Sequence, residues 1–87
     1  MYEIIISNEA VKYYRKSDRN TKRRINKCID SLRIAPLFGP HIKKLHGEFE
    51  GKSRFESGGI RIIFEVNAGD GTVDIKAIGS RGDIYKS

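Results

Sequence analysis

The hydrophobic pattern at the start of the chain predicts a strand followed at once by a helix. Residues 2–6 are dominated by isoleucine, a β-branched residue that favours a strand, and Ser7 follows as the expected N-cap of a helix. In that helix Ala10, Tyr13 and Tyr14 lie at positions i, i+3 and i+4. These three side chains should therefore form one apolar stripe that packs against the rest of the protein.

A longer apolar stripe predicts a second helix. It begins after Ser17 and Asp18, which are suitable capping residues, and it ends before Pro36 and Pro40, which cannot continue a helix. Cys28 lies on the stripe, and as the chain's one cysteine it cannot form an internal disulfide, so we expect it reduced and buried. Residues at i, i+3, i+4 and i+7 form the stripe: Ile25, Cys28, Ile29 and Leu32.

The second half of the chain changes to the period of two that is typical of strands. Strands are predicted over residues 52–56, 60–66 and 72–78, with turns at Gly58-Gly59 and at 67–71. The order β-α-α-β-β-β predicts an α+β fold in one domain, residues 1–87. Two N-terminal helices should pack on one face of a largely antiparallel sheet and leave the other face partly open.

A two-residue loop at Gly58-Gly59 fixes the register of the hairpin around it. It places Glu56 opposite Arg61, Arg54 opposite Ile63, and Lys52 opposite Glu65. Alternation then puts Lys52, Arg54 and Arg61 together on the open face. The core face should carry the apolar members of the hairpin: Phe55, Ile60, Ile62, Phe64 and Val66. A face lined with fixed ammonium and guanidinium groups suits a phosphodiester, so RNA is the favoured ligand.

The same alternation assigns the residues of the last strand to the two faces. Val73, Ile75 and Ala77 are expected in the core. The open face should receive the residues between and after them: Asp74, Lys76 and Ile78.

Charge composition favours an anionic partner. Seventeen Lys and Arg against eleven Asp and Glu give a net charge of +6, which attracts nucleic acid or an acidic protein. A membrane is not expected, because no apolar run approaches about 18 residues and the N-terminus lacks the basic start of a signal peptide. We therefore predict a cytoplasmic protein. His41 and His46 lack metal-ligand spacing, and we expect no metal or other cofactor.

Four short motifs in the second half of the chain follow one another in a recognisable order. They are Leu45-His46-Gly47, Lys52-Ser53-Arg54, Gly59-Ile60-Arg61, and Gly79-Ser80-Arg81 with Tyr85 after it. In order and spacing they resemble the RelE/ParE toxin superfamily, and the resemblance covers the whole chain. It implies the RelE-like, microbial-RNase-like fold and a bacterial toxin that a cognate acidic antitoxin neutralises.

The resemblance implies one of two activities. RelE-like members enter the ribosomal A site and cleave mRNA without a metal, by attack of a ribose 2′-hydroxyl on the adjacent phosphate. ParE-like members poison DNA gyrase and usually lack the basic catalytic set. This chain carries that set, which favours the ribosome-dependent endoribonuclease, with ribosome and mRNA as partners. The implied catalytic residues are Lys52, Arg54, Arg61, Arg81 and Tyr85.

The chemistry of the reaction suggests a role for each of these residues. Arginines stay charged, so their task is to stabilise the phosphate. Lys52 is the better candidate for general base because nearby cations favour its neutral form, and Glu56 is a rival base if it is free of Arg61. The resemblance implies that Arg81 delivers the proton to the leaving oxygen. Tyr85 offers a ring for stacking and a hydroxyl that orients the phosphate.

The basic residues outside this set have two possible roles. Lys22, Arg23 and Lys27 are typical of a solvated helix face, and the alternative is contact with ribosomal RNA. Lys43 and Lys44 precede the site strand and are further candidates for binding RNA or the ribosome.

Two other functions stay open. The cations on the hairpin could simply form cross-strand ion pairs, Lys52 with Glu65 and Arg61 with Glu56. The rival functions are a non-enzymatic inhibitor that binds gyrase and a basic RNA-binding module without catalysis.

Overall fold

A computed structural model describes residues 1–37 and 39–80 of the chain. The described part contains two α-helices, one short 3-10 helix and five strands. In chain order these are β1 Glu3–Ile6, α1 Asn8–Lys16, α2 Arg19–Ile34, β2 Ile42–Lys44, the 3-10 helix Gly47–Phe49, β3 Ser53–Ser57, β4 Ile60–Asn67 and β5 Thr72–Ser80.

The two helices begin at the capping residues that the sequence predicts. The side chain of Ser7 accepts a hydrogen bond from the backbone N–H of Ala10 at 3.1 Å, and that of Asp18 accepts one from Thr21 at 2.7 Å. Each cap satisfies a backbone donor that has no partner inside its helix. These hydrogen bonds from Thr21 lower the pKa of Asp18 below its usual range.

The five strands form one mostly antiparallel sheet in the order β1-β5-β4-β3-β2. Only the pairing of β1 with β5 is parallel, and the meander of β3, β4 and β5 is antiparallel as predicted. Both helices pack on one face, α1 against β5 and α2 against β4 and β1. The α+β fold class is therefore confirmed. Within the described ranges, neither helix is long and apolar enough to cross a membrane.

The core lies between the helices and the sheet. The apolar stripe of α2 is buried as predicted, with Ile25 and Leu32 fully inaccessible and Cys28 5% exposed. Burial also raises the pKa of the Cys28 thiol. From the sheet, Phe64 and Ile62 meet these helix residues with no exposed surface. The core face of the hairpin is thus confirmed.

A β-bulge in β5 makes the predicted face of two residues wrong. Ile63 pairs with Ala77 and Phe64 pairs with Ile75, so Lys76 is an extra residue between them. One extra residue exchanges the two faces for the rest of the strand. Ile78 consequently belongs to the buried core, while Ala77 lies on the opposite face of the sheet.

The strand β2 is also absent from the sequence prediction. Its three residues, Ile42–Lys44, pair with β3 at the edge of the sheet. So short a segment with two lysines has no clear alternation, and β-pairing with β3 rather than intrinsic preference forms it.

Candidate functional site

Three charged residues of the β3–β4 hairpin lie side by side on the sheet face that the helices leave uncovered. Glu56 pairs with Arg61 and Arg54 pairs with Ile63, so the predicted register is confirmed. On the opposite face, Phe55 and Ile62 belong to the core. Arg54 and Arg61 are therefore fixed on a rigid sheet rather than on a loop, which limits their freedom to move.

One carboxylate joins the two guanidinium groups. Glu56 Oε2 accepts a hydrogen bond from Arg61 Nη2 at 2.9 Å, and Glu56 Oε1 lies 3.8 Å from Arg54 Nε. The side chain of Arg61 is 11% exposed and that of Arg54 is 22% exposed. The condition for Glu56 as a general base is consequently not met, because it is not free of Arg61. The cross-strand pair of Arg61 with Glu56 exists as foreseen.

Lys52 lies next to this cluster but outside the regular hairpin. The ladder between β3 and β4 ends with Ser53 opposite Phe64, so the predicted pairing of Lys52 with Glu65 lies beyond it. Instead, Glu65 Oε1 lies 3.9 Å from the amine of Lys76. Lys52 is partly exposed and lines a groove on the same face of the sheet.

That groove, of about 530 Å³, runs along β4 and β5 beside the arginines. Ile63 and Ala77, which pair directly, contribute apolar surface to it. Its charged lining consists of two amines and two carboxylates, from Lys52, Lys76, Glu9 and Glu48. Lys76 is a functional candidate that the sequence reasoning missed. Its predicted place on the open face was the available signal, and the bulge at this residue is the kind of irregularity often found beside active sites.

Two members of the predicted catalytic set, Arg81 and Tyr85, lie outside the described residues. The last described residue, Ser80, pairs with Ile60 at the end of β5, next to the pair of Arg61 with Gly79. The hydroxyl groups of Ser80 and Tyr13 are 3.0 Å apart.

The two lysines of β2, Lys43 and Lys44, lie on opposite faces of the sheet. Lys43 pairs with Arg54 and therefore lies on the same sheet face as the arginines, whereas Lys44 pairs with Ser53 and lies on the other face. Both side chains are exposed. Lys43 thus extends the cationic surface to the sheet edge, and Lys44 does not.

The basic residues of α2 are not brought together with the arginines of the sheet. Lys22, Arg23 and Lys27 belong to the helix layer, which packs on the core face of the sheet. The amine of Lys22 lies 5.6 Å from the centroid of the Tyr14 ring, a cation–π contact. Their role in binding the ribosome stays a prediction.

The comparisons with known proteins find similarity in structure. No protein-family model and no curated protein matches the sequence. Among solved structures, the toxin–antitoxin complex RelBE2 from Mycobacterium tuberculosis aligns with a TM-score of 0.82 at 20% identity, covering 92% of this chain and 98% of that chain.

Two further structures extend this similarity. The archaeal RelE–RelB complex from Pyrococcus horikoshii OT3 aligns with a TM-score of 0.76 at 27% identity, over 94% of this chain and 97% of that chain. A YoeB/ParE toxin from Agrobacterium tumefaciens aligns with a TM-score of 0.77 at 14% identity, over 91% and 98%. Over 91–94% of its length the chain, with its two helices on one face of the sheet, therefore has the fold of these toxin structures, and this likeness supports the RelE/ParE toxin superfamily.

Proposed function

We propose that this chain is the toxin of a bacterial toxin–antitoxin pair and acts as a ribosome-dependent endoribonuclease that cleaves mRNA in the A site. The observation that carries the proposal is the pair of guanidinium groups of Arg54 and Arg61, which lie with the carboxylate of Glu56 on the uncovered face of the sheet. Lys52 and Lys43 add further positive charge on that side. Such a surface complements a phosphodiester backbone.

The proposed reaction is an internal transfer of the phosphate. The 2′-oxygen of a ribose forms a bond to the adjacent phosphorus as a base removes its proton, and the bond from phosphorus to the 5′-oxygen breaks as that oxygen receives a proton. The products are a 2′,3′-cyclic phosphate and a 5′-hydroxyl. Arg54 and Arg61 stabilise the charge that develops on the phosphate oxygens.

The two proton transfers require other groups. Lys52 is the proposed general base, because it lines the groove beside the arginines and Glu56 is already hydrogen bonded. The resemblance to RelE implies that Arg81 protonates the leaving oxygen, and Tyr85 offers a ring on which a base can stack.

The partners follow from the same proposal. The similar structure from Mycobacterium tuberculosis is a toxin–antitoxin complex, and that from Pyrococcus horikoshii is a RelE–RelB complex. This supports a cognate antitoxin here. A chain with net charge +6 suits an acidic one. The ribosome and mRNA are the proposed targets, in the cytoplasm.

Pulsed expression tests the proposal. Protein synthesis should stop, and ribosome-bound transcripts should be cut inside codons. The same cells report on the competing function, since a gyrase poison leaves mRNA intact and accumulates cleaved gyrase–DNA complexes. Intact mRNA together with cleaved gyrase–DNA complexes would refute the proposed ribonuclease activity, but it would remain consistent with a toxin.

A further inference from the structure

We propose that Glu56 is a positioning residue, which sets the spacing and direction of the Arg54 and Arg61 guanidinium groups for the phosphate. This inference rests on the proposed function and deepens it. Glu56 would neither touch the substrate nor accept a proton from it. Its carboxylate instead keeps two like charges in one arrangement before the substrate arrives.

Repulsion between the Arg54 and Arg61 guanidinium groups favours a counter-charge at Glu56. Arg54 and Arg61 lie on the same sheet face, diagonal to one another across β3 and β4, and their side chains are only 22% and 11% exposed. Two cations with so little water around them repel each other and need a counter-charge nearby. The carboxylate of Glu56 supplies that charge from between them.

The contact geometry of Glu56 with the two arginines favours the same role. Glu56 Oε1 lies 3.8 Å from Nε of Arg54, which is an ion-pair distance and not a hydrogen bond. The contact with Arg61 is made at a terminal nitrogen, Nη2. The carboxylate is therefore hydrogen bonded to Arg61 and lies at ion-pair distance from Arg54, so its charge constrains the position of both guanidinium groups. A bidentate approach of phosphate to the terminal edge of Arg54 stays compatible with the ion pair.

The backbone at Glu56 is fixed within the sheet. The residue lies in β3, between β2 and β4, and is paired with Arg61. Its N–H donates a hydrogen bond of 3.1 Å to the carbonyl of His41. A carboxylate carried on an inner strand can impose a position on its partners, whereas a carboxylate on a loop would follow them.

The alternative role, general base, predicts different behaviour. Oε2 already accepts a hydrogen bond from Arg61, and Oε1 lies 3.8 Å from Arg54 Nε, so both oxygens lie beside a guanidinium group. If Glu56 is the general base, Glu56→Gln loses that catalytic function completely. The limb of the pH–rate profile that reports the ionisation of the base is then lost too. A positioning carboxylate leaves that limb in place.

The experiment measures single-turnover cleavage of mRNA on saturating ribosomes, with the full chain and the variants Glu56→Gln and Glu56→Ala. We expect Glu56→Ala to lower the saturated rate by about 100-fold, since a misplacement of about 1 Å costs this much. Glu56→Gln should retain more activity, because the amide oxygen can still accept a hydrogen bond from Arg61. Affinity for the programmed ribosome should not fall in either variant, because each removes a negative charge near the phosphate.

Glu65→Gln is the matched control. It removes the same charge from the same hairpin, and its ion pair with Lys76 is long, at 3.9 Å, with both side chains about 40% exposed. Its saturated rate should stay close to that of the wild type. Wild-type cleavage rates in both Glu56 variants would overturn the proposal, and so would complete loss in Glu56→Gln together with loss of one limb of the pH–rate profile.

A second readout does not require cleavage. The Nε–Hε resonances of Arg54 and Arg61 are followed by NMR, with Arg33 on α2 as the internal reference. In Glu56→Ala both resonances should shift while that of Arg33 stays in place, and their response to inorganic phosphate should change. Unchanged resonances of Arg54 and Arg61 would overturn the proposal. If the wild type fails to cleave mRNA while Glu56→Ala shows the expected shifts, the proposed function is refuted and the positioning role still stands.

Discussion

Replacing Arg61 with alanine should abolish most of the cleavage and leave a folded protein. The side chain of Arg61 is 11% exposed and donates a 2.9 Å hydrogen bond to Glu56. Removing a hydrogen bond to a charged, partly buried group costs about 1–3 kcal/mol. A domain of this size is typically stable by about 5 kcal/mol or more, so the variant should stay folded at 25 °C. Its melting temperature should fall by about 4–8 °C for each kcal/mol.

The loss of activity should exceed this loss of stability by a wide margin. One positioned group that stabilises the charge of the transition state typically contributes about 100- to 1,000-fold to the rate. The assay is single-turnover cleavage on saturating ribosomes, run well below the melting temperature of the variant. Saturation matters because the loss of a nonspecific phosphate contact would weaken binding and reduce its salt dependence, but would not slow cleavage in the bound complex.

Arg33→Ala is the control for charge. It gives the same net charge as Arg61→Ala, and it removes an exposed ion pair with Asp30, whose two side chains are 40% and 67% exposed. Such a pair contributes only about 0.2–1 kcal/mol, so both stability and rate should stay near those of the wild type. If Arg61→Ala is folded and cuts at the wild-type rate, the assignment of the site to this face of the sheet is refuted.

Three more predictions concern the need for a metal, the sheet face that binds ribosomes, and the cap of α2. Cleavage should persist in a chelator at a concentration that leaves ribosomes intact, since attack by a 2′-hydroxyl needs no metal; a 3′-hydroxyl product that depends on added Mg²⁺ would contradict it. Lys43→Glu should weaken binding to ribosomes, measured by sedimentation, more than Lys44→Glu, because only Lys43 shares the face of Arg54. Equal effects of the two substitutions would show that the sheet face of the lysine does not determine ribosome binding. Asp18→Ala should lower the melting temperature at pH 7, and the difference should shrink as the pH falls below 3.8, because the pKa of Asp18 is lowered by its cap hydrogen bonds and their contribution is lost once the carboxylate is protonated.

The sequence is sufficient to predict those parts of the fold that local rules control. The stripe of α2, with Ile25 and Leu32, follows the helical period and is fully buried. The turn at Gly58-Gly59 fixes the pairing of Glu56 with Arg61, because a two-residue loop permits one register. Both glycines adopt positive φ angles, 60° and 82°, which such a turn requires.

Features that depend on tertiary contacts escape sequence reasoning. The bulge that sends Ile78 to the core and Ala77 to the other face is a property of the pairing of β5 with β4, and no residue pattern marks it. Ile63 shows the same limit, since it is 4% exposed although it lies on the face predicted to be open. For the site, the register predicts that Arg61 faces Glu56, but only the side-chain geometry shows that Glu56 joins it to Arg54 as well.

The parallel pairing of β1 with β5 has a consequence for synthesis. The first strand is joined to the sheet only through the last described one, and Ser7 Oγ donates a 2.8 Å hydrogen bond to the carbonyl of Lys76, 69 residues later in the chain. Contacts between residues so far apart form late in folding. A nascent chain that ends at β4 therefore has no partner for β1 and lacks Val73 and Ile75 in its core. The domain consequently cannot close before β5 has left the exit tunnel of the ribosome that makes it.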